Sequence, residues 1–308
     1  MSKPRALWLG TEDRYARLRR IESLEPEKDY REITALFESD FQSVMALKAV
    51  TTNLMTYAAP RMSRILIASG QIEHHTAKRI VDTALLQRAV MAHGLGAGEG
   101  RDAARRINAM HHAYEIHPDD YVAVGCDVPL MSLEIADRFG WRPVTDAERE
   151  SMRLYYSKET RAVGSHQSLP ATLDEMRTVW EHYMNTQLAF EPQNKRLAEA
   201  FLDFLPTMLP PTLRRLGTPM LTAQVDARIL RGCGLRVPSA AKKRLSTALL
   251  RAFGKKDPVP DRAPDQPDRL NAFAKVIYPH GWTIDKLGTH LSQRPEVSSA
   301  ADGRAAND

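Results

Sequence analysis

Cysteine is scarce in this chain, which has two cysteines, Cys126 and Cys233, among its 308 residues. Two cysteines are too few for a disulfide framework, and their spacing matches no zinc-ligand pattern. Long apolar runs are also missing: none approaches the roughly 20 residues that span a bilayer. The opening residues MSKPRALWLGTEDRYARLRR lack the apolar core of a secretory signal. The sequence therefore predicts a cytoplasmic protein.

The common catalytic signatures are absent as well. The sequence has no HExxH motif, no GxSxG nucleophile elbow and no histidine preceded three residues earlier by glutamate. The stretch GLGAGEG, residues 94–100, lacks the GxGxxG spacing and follows a predicted helix, so we interpret it as a loop between helices. These absences argue against zinc proteases, α/β-hydrolases, di-iron carboxylate proteins and dinucleotide-binding enzymes.

Acidic residues are missing from one long segment near the C-terminus. No carboxylate stands between Asp226 and Asp257, although nine Lys and Arg residues do, and the net charge of the chain is +5. The simpler explanation is a solvated helix face. The alternative is a peripheral contact of residues 228–256 with an anionic membrane. No zinc-finger or RNP motif accompanies the segment, so nucleic acid is not an expected partner.

Strand-like alternation is nearly absent, whereas apolar residues recur at helical spacing through most of the chain. We predict an all-α fold with a single large multi-helix domain at residues 25–290 and a cofactor pocket between helices. An extension, residues 1–24, precedes the domain and a disordered tail, residues 291–308, follows it. The proline-rich stretch 257–268 is predicted to be an exposed connector.

Nine helices are predicted from the periodicity and from start and stop signals. Thr145 with Glu148 and Thr172 with Glu175 have the spacing of capping boxes. The predicted helices are Tyr30–Met55, Thr76–Ala92, Ala103–Tyr114, Pro129–Phe139, Thr145–Val163, Thr172–Met184, Asn194–Phe204, Pro211–Leu230 and Ala240–Phe253.

Three of the ten histidines fall in one short segment, RRINAMHHAYEIHPDDY. On a helix the residues Ala103, Ile107, Met110 and Tyr114 form an apolar arc. His111 lies at the edge of this arc, whereas His112 points toward water and His117 lies beyond the helix. Adjacent rings point about 100° apart, so the pair cannot chelate one ion. The alternative for His111 is a core histidine satisfied by a hydrogen bond.

The preceding helix places Arg79 and Thr83 in one stripe with the aliphatic residues Leu86 and Val90. A buried arginine is costly unless it meets an anion or a strong acceptor. Arg79 is therefore a candidate for binding a ligand, and the alternative is that it pairs with a carboxylate elsewhere in the fold. An inward His111 facing an inward Arg79 predicts a pocket between two helices. One imidazole suits a haem iron, because the porphyrin supplies four of the ligands.

Several segments in a fixed order resemble the MpaB-type oxygenase family, which includes the rubber oxygenases called latex clearing proteins. The resemblance runs from about Pro60 to Trp180, and a weaker similarity is found in IYPHGWTIDKLG. Its elements are the R-x-x-x-T helix with Arg79 and Thr83, RINAMH ending in His111, the DY pair Asp120 and Tyr121, ERESMRLYYSKETRAVG and LPATLDEMRTVWEHYM.

The resemblance implies a haem-dependent oxygenase that acts with dioxygen on a lipophilic, isoprenoid-like substrate. It implies that a b-type haem is held by one histidine, matched here by His111, and that Arg79 and Thr83 lie on the distal side and affect activity. In rubber oxygenases a lysine precedes that threonine, whereas this chain has Asp82 there. The alternative is a helical scaffold that binds haem without catalysis or binds none.

Overall fold

The computed structural model describes residues 5–209, 211–262 and 268–289, and its regular structure is helical. Within these ranges the one β-type pairing is an isolated bridge between Trp8 and Thr11, so the predicted all-α class is confirmed. The helices are α1 (Ala16–Glu22), α2 (Pro26–Asp40), α3 (Ala46–Ala58), α4 (Pro60–Ser69), α5 (Gln71–His93), α6 (Gly98–His111), α7 (Pro118–Phe139), α8 (Asp146–Ala162), α9 (Leu173–Thr186), α10 (Pro192–Met208), α11 (Arg214–Thr222), α12 (Ala227–Gly232), α13 (Ala240–Gly254) and α14 (Arg269–Ile277). The predicted tail, residues 291–308, lies outside the described residues.

Both predicted capping boxes are present at the starts of α8 and α9. The Glu148 amide donates to Thr145 Oγ1 at 3.2 Å, and the Thr145 amide donates back to Glu148 Oε2 at 2.8 Å. The corresponding distances between Thr172 and Glu175 are 3.2 Å and 3.1 Å. These reciprocal bonds satisfy backbone donors that a helix start leaves free.

Two predicted helices are divided in the structure. The segment Tyr30–Met55 forms α2 and α3, which are separated by a turn at residues 41–45. Phe41 and Val44 in that turn are buried. The apolar pattern therefore continues through the break, and the periodicity of apolar residues does not reveal it. The segment Pro211–Leu230 similarly forms a short 3-10 helix, α11 and α12.

Helix α7 begins at Pro118, well before its predicted start at Pro129. Pro118 occupies the first turn, where a missing amide proton costs nothing. Pro129 lies inside the helix and is buried, although an internal proline removes one backbone hydrogen bond. The prediction was wrong because it treated the second proline as the start signal. The short helices α1, α4 and α14 were not predicted.

The glycine-rich loop is shorter than predicted, because α6 begins at Gly98. Gly100 in its first turn packs directly on the backbone of Gly94, and a Cβ atom there would collide with the Gly94 carbonyl oxygen. A residue without a side chain is therefore needed at this close approach. The contact brings α5 and α6 side by side, and these two helices pack along each other.

Helix α7 is at the centre of the core and contacts α3, α8, α9 and α13. Residues on several of its sides are buried, among them Cys126, Asp127, Leu130 and Leu133. A helix buried this widely loses the single apolar stripe of a surface helix. Among the described helices, none has both the length and the apolarity needed to cross a lipid bilayer.

A buried ionic cluster joins α2 to the start of α8. Arg142 donates to Asp40 Oδ2 at 2.7 Å and to Glu148 Oε1 at 2.6 Å, and all three side chains are buried. Removing one partner from a buried pair typically costs about 3–5 kcal/mol, because a charge is left uncompensated. The cluster fixes the chain between α7 and α8.

The N-terminal segment and the first part of the proline-rich connector lie against each other. Trp8 Nε1 donates to the Pro258 carbonyl at 3.0 Å, and the Asp261 amide donates to the Leu7 carbonyl at 2.7 Å. The buried Arg17 of α1 bonds Asp261 at 2.6 Å. Pro258 is therefore buried, because these contacts pack it against Trp8, whereas residues 257 and 260–262 are exposed as predicted for the connector. Residues 263–267 of the connector lie outside the described part.

The segment that follows α14, residues 278–289, is called the C-terminal strap here because it crosses α5 and α6. The Tyr278 hydroxyl donates to Asp82 Oδ1 at 2.6 Å, and the Gly288 amide donates to Asp82 Oδ2 at 2.8 Å. Arg106 of α6 donates to the carbonyls of Leu287 and Thr289, both at 2.9 Å. One buried carboxylate on α5 therefore holds both ends of the strap.

The buried Asp127 makes the stability of this fold depend on pH. Burial raises the pKa of Asp127 to about 7, so the folded state holds a proton that the unfolded state has lost above about pH 4. The unfolding free energy therefore falls as pH rises from about 4 to 7, by up to about 1.4 kcal/mol per pH unit for one group. Asp127→Asn should remove this contribution.

Urea unfolding at several pH values measures the effect. Glu159, whose pKa burial also raises to about 7, supplies the slope that remains in the variant. The exposed Asp203 provides the control Asp203→Asn, which should keep the full slope. Equal slopes in the wild type and in Asp127→Asn would contradict the assignment.

Asp82→Asn should destabilise the fold by about 1–3 kcal/mol, because buried donors lose their charged acceptor. The strap should become more sensitive to limited proteolysis in this variant. The control Asp137→Asn breaks a half-exposed pair with Arg149 and should change stability by about 0.5 kcal/mol or less. Identical urea midpoints for the two variants would show that Asp82 does not hold the strap.

Candidate functional site

His111 is the last residue of α6, and its ring is held by the chain that follows α8. Its Nδ1 lies 2.8 Å from the Val163 carbonyl oxygen. Because a carbonyl oxygen only accepts hydrogen bonds, Nδ1 carries the proton and the lone pair is on Nε2. Nε2 has no hydrogen-bond partner within the described part of the chain. The Tyr121 ring meets the imidazole edge-on, with centroids 5.6 Å apart.

The surroundings of His111 favour the neutral form of its ring. Burial lowers the pKa of His111, the hydrogen bond to Val163 raises it, and the positive charge of Arg79 lowers it further. The net shift is downward from the ordinary value. A neutral imidazole with a free Nε2 lone pair is the form that binds a metal.

Gly164 allows the Val163 carbonyl to reach the ring. Its backbone has φ +121°, a region that favours glycine. A Cβ atom at this position would lie 2.7 Å from Asn108 Oδ1 and 3.1 Å from the Tyr121 hydroxyl. A side chain at residue 164 would therefore push apart the groups around His111.

Arg79 and Thr83 lie on α5, which packs against α6. Thr83 Oγ1 donates to the Arg79 carbonyl at 2.8 Å and accepts a hydrogen bond from the Arg79 guanidinium. Burial lowers the pKa of Arg79, and the nearby Tyr57, Asp82 and Tyr114 partly offset this shift. Within the described residues Arg79 forms no ion pair. The guanidinium is therefore a half-buried cation, and its one hydrogen-bond partner among the described residues is the neutral Thr83.

The structure brings the three predicted residues to one place. Arg79 influences the protonation of His111, and Thr83 contacts Arg79. Leu86 and Val90, which continue the stripe along α5, are buried in the core. The site therefore lies between α5 and α6, with an uncharged ring on one helix and a charged guanidinium on the other.

The two other histidines of the segment are exposed, as predicted. His112 lies one residue after α6, and its ring is 6.4 Å from that of His166. His117 caps α7, because its Nδ1 accepts a hydrogen bond from the Asp119 amide at 3.2 Å. Neither ring shares the surroundings of His111.

Several residues that support this site had no predicted role. Asp120 is buried and accepts hydrogen bonds from Arg61 at 2.7 Å and from Tyr183 at 2.6 Å, which joins α4, α7 and α9. Asp82 joins α5 to the strap. Asp120 belongs to the DY pair, and the partners of Asp82 belong to IYPHGWTIDKLG, so both motifs were visible in the sequence. No spacing rule, however, links segments this far apart in the chain.

Comparison with known proteins gives both a family and a fold. The family model described as the catalytic domain of ER-bound oxygenase mpaB/B' and rubber oxygenase matches residues 39–255. A solved structure of latex clearing protein LCP in the closed state is similar, with a TM-score of 0.61 and 19% identity. The likeness covers 83% of this chain and 75% of that chain, and at this identity it shows the fold alone. No curated protein matches.

The matched residues run from the end of α2 into the segment after α13, and they include all of α5, α6 and α8. The match thus contains the whole neighbourhood of His111, Arg79 and Thr83. It covers most of the chain, and the protein belongs to the oxygenase family of ER-bound mpaB and the rubber oxygenases.

Proposed function

We propose that this oxygenase works with a b-type haem held by His111 and oxidises a lipophilic, isoprenoid-like substrate with dioxygen. The observation that carries the proposal is the pairing of a His111 ring that is free at Nε2 and favoured in its neutral form with a half-buried Arg79 that has no ion-pair partner in the described chain.

The donor set fits a haem better than a metal bound by protein ligands alone. The described residues contain no group of three or more His, Cys, Asp or Glu side chains that could hold an ion. His111 offers one nitrogen, and a porphyrin needs one ligand from the protein because it brings four of its own. The Val163 carbonyl fixes the ring and increases the basicity of Nε2.

Arg79 fits the same group because a half-buried cation has lost part of its hydration, which favours an anion or strong acceptor beside it. A haem carries two propionate carboxylates, and its oxygen chemistry creates negative charge close to the iron. Either anion would satisfy the guanidinium. Thr83 holds the guanidinium in place because its hydroxyl oxygen accepts a hydrogen bond from Arg79, while its single hydroxyl proton is donated to the Arg79 carbonyl.

When bound, a haem supplies the iron at which dioxygen is activated. The protein contributes the rest. His111 donates its Nε2 lone pair, Val163 keeps the ring in one tautomer, and Arg79 provides hydrogen-bond donors where negative charge develops. Half-buried Ile107, Met110 and Tyr114 of the α6 segment provide apolar contacts suited to a hydrocarbon chain.

Two features refine the substrate and the location. Asp82 stands where rubber oxygenases have a lysine, and its carboxylate already bonds Lys78, Tyr278 and Gly288. We therefore carry over an isoprenoid-like substrate as a class rather than rubber itself. Cys126 and Cys233 are both free and buried, which supports the proposed cytoplasmic location.

His111→Ala should abolish or strongly alter the haem absorption spectrum of the purified, haem-supplemented protein, because the iron loses its protein ligand. The control His112→Ala removes the adjacent exposed ring and should leave the Soret band near its wild-type position. Circular dichroism would establish that both variants are folded. A colourless, folded wild-type protein after haem supplementation would reject the proposal in favour of a haem-free scaffold.

Arg79→Gln should raise the pKa of His111 in the haem-free protein, because the positive charge that lowers it is removed. NMR titration of the ring measures this shift. Oxygenase turnover of the haem-loaded variant should fall by about 100-fold, which is typical for the loss of one oriented donor at developing charge. The exposed Arg105 on α6 gives the control Arg105→Gln, and equal titration curves for both variants would contradict the assignment.

A further inference from the structure

Helix α13 has apolar residues on two opposite faces. Ser246, Leu250 and Gly254 are buried and form its inward face. The outward side, at 100° per residue, carries Ala241, Leu245, Ala248 and Ala252, and Leu249 lies on the flank of this side; all five are exposed. Leu245 is 63% exposed and Leu249 47% exposed. A surface helix normally carries polar residues on its outward face, so this apolar stripe requires an explanation.

Basic residues border the outward stripe on both sides. Arg244, Arg251 and Lys255 lie along one edge, Lys242 lies beside Leu249 at the other, and Lys256 follows the end of the helix on the side of the two leucines. All five are exposed, and none forms an ion pair with a described residue. No carboxylate occurs from residue 227 to 256. The stripe and its two borders are called the α13 face below.

The neighbouring helix α11 has the same character. It contacts α13, and its Leu216 is 70% exposed. Arg214 and Arg215, which precede this leucine, are also exposed. Exposed leucines flanked by unpaired cations therefore occur on two adjoining helices of the same part of the fold.

We propose that the α13 face docks this protein on an anionic phospholipid bilayer. The leucines of the stripe enter the boundary between headgroups and acyl chains, and the bordering cations contact lipid phosphates, as in other interfacial amphipathic helices. The inference does not depend on the haem proposal. It adds a surface from which a lipophilic molecule dissolved in the bilayer can reach the enzyme.

Charge and apolarity together favour a bilayer over the other occupants. A second copy of the chain in a two-fold dimer would place the same cations against each other, which is unfavourable. A nucleic acid would satisfy the cations but would leave the leucine stripe in contact with a charged backbone. An anionic bilayer is complementary to both parts of the α13 face.

Co-sedimentation with lipid vesicles tests the proposal. The full-length protein should sediment with vesicles of phosphatidylcholine and phosphatidylserine. Its affinity for vesicles of phosphatidylcholine alone should be lower by a factor of about ten or more. Leu245→Ser combined with Leu249→Ser should weaken binding to the anionic vesicles by about tenfold or more. The control Val276→Ser changes an 80% exposed residue of α14 and should bind as the wild type does.

A second pair of variants tests the charge. Arg251→Glu combined with Lys255→Glu should abolish binding, whereas Arg105→Glu on α6 should have a small effect. Binding that is equal in the wild type and the leucine variant would overturn the proposal, as would no sedimentation at about millimolar lipid. Loss of a dimer in the leucine variant, measured by light scattering, would assign the α13 face to self-association instead.

Discussion

The hydrogen bond between His111 Nδ1 and the Val163 carbonyl is the contact on which the site depends. It joins residues 52 positions apart and determines which ring nitrogen is free. The bond forms because α6 ends at His111, α8 ends one residue before Val163, and Gly164 turns the chain away without a side chain. Without this carbonyl the ring could rotate, and its lone pair would have no fixed direction.

Arg79 gives the same site its electrostatic character. Burial of the guanidinium is unfavourable, and nearby Tyr57, Asp82 and Tyr114 offset part of the cost. Its charge in turn favours the neutral form of His111. A half-buried cation that forms no ion pair with a described residue departs from the usual rule of pairing, and such departures are concentrated at functional sites. The neutral ring and the cation support one proposal together, whereas either alone is an ordinary core residue.

The sequence predicted the features that depend on local spacing. Helical periodicity indicated the all-α class, and the residue types at Thr145 and Thr172 indicated two capping boxes. The break at residues 41–45 escaped prediction because Phe41 and Val44 are buried in the turn. The start of α7 was predicted at Pro129, which is wrong, because proline more often starts a helix than continues one.

Long-range partners were outside what spacing can show. Periodicity placed Arg79, Thr83 and His111 on inward faces, but it could not identify Val163 as the acceptor for His111. It also could not foresee that Asp82 bonds residues near the far end of the chain, because such contacts exist only after tertiary packing. The family resemblance included both the helix with Arg79 and Thr83 and the distant segment IYPHGWTIDKLG, without a reason for their joint occurrence. The hydrogen bonds of Asp82 link the two segments physically.

The strap also has a consequence for how the protein is made. Helix α5 leaves the ribosome long before Tyr278 and Gly288, and domains fold from the N-terminus as they emerge. Until the strap has emerged, Asp82 lacks two of its three donors, and Arg106 of α6 lacks the two carbonyls to which it donates in the folded protein. The packing of α5 against α6 is therefore expected to become final only after the strap has been synthesised.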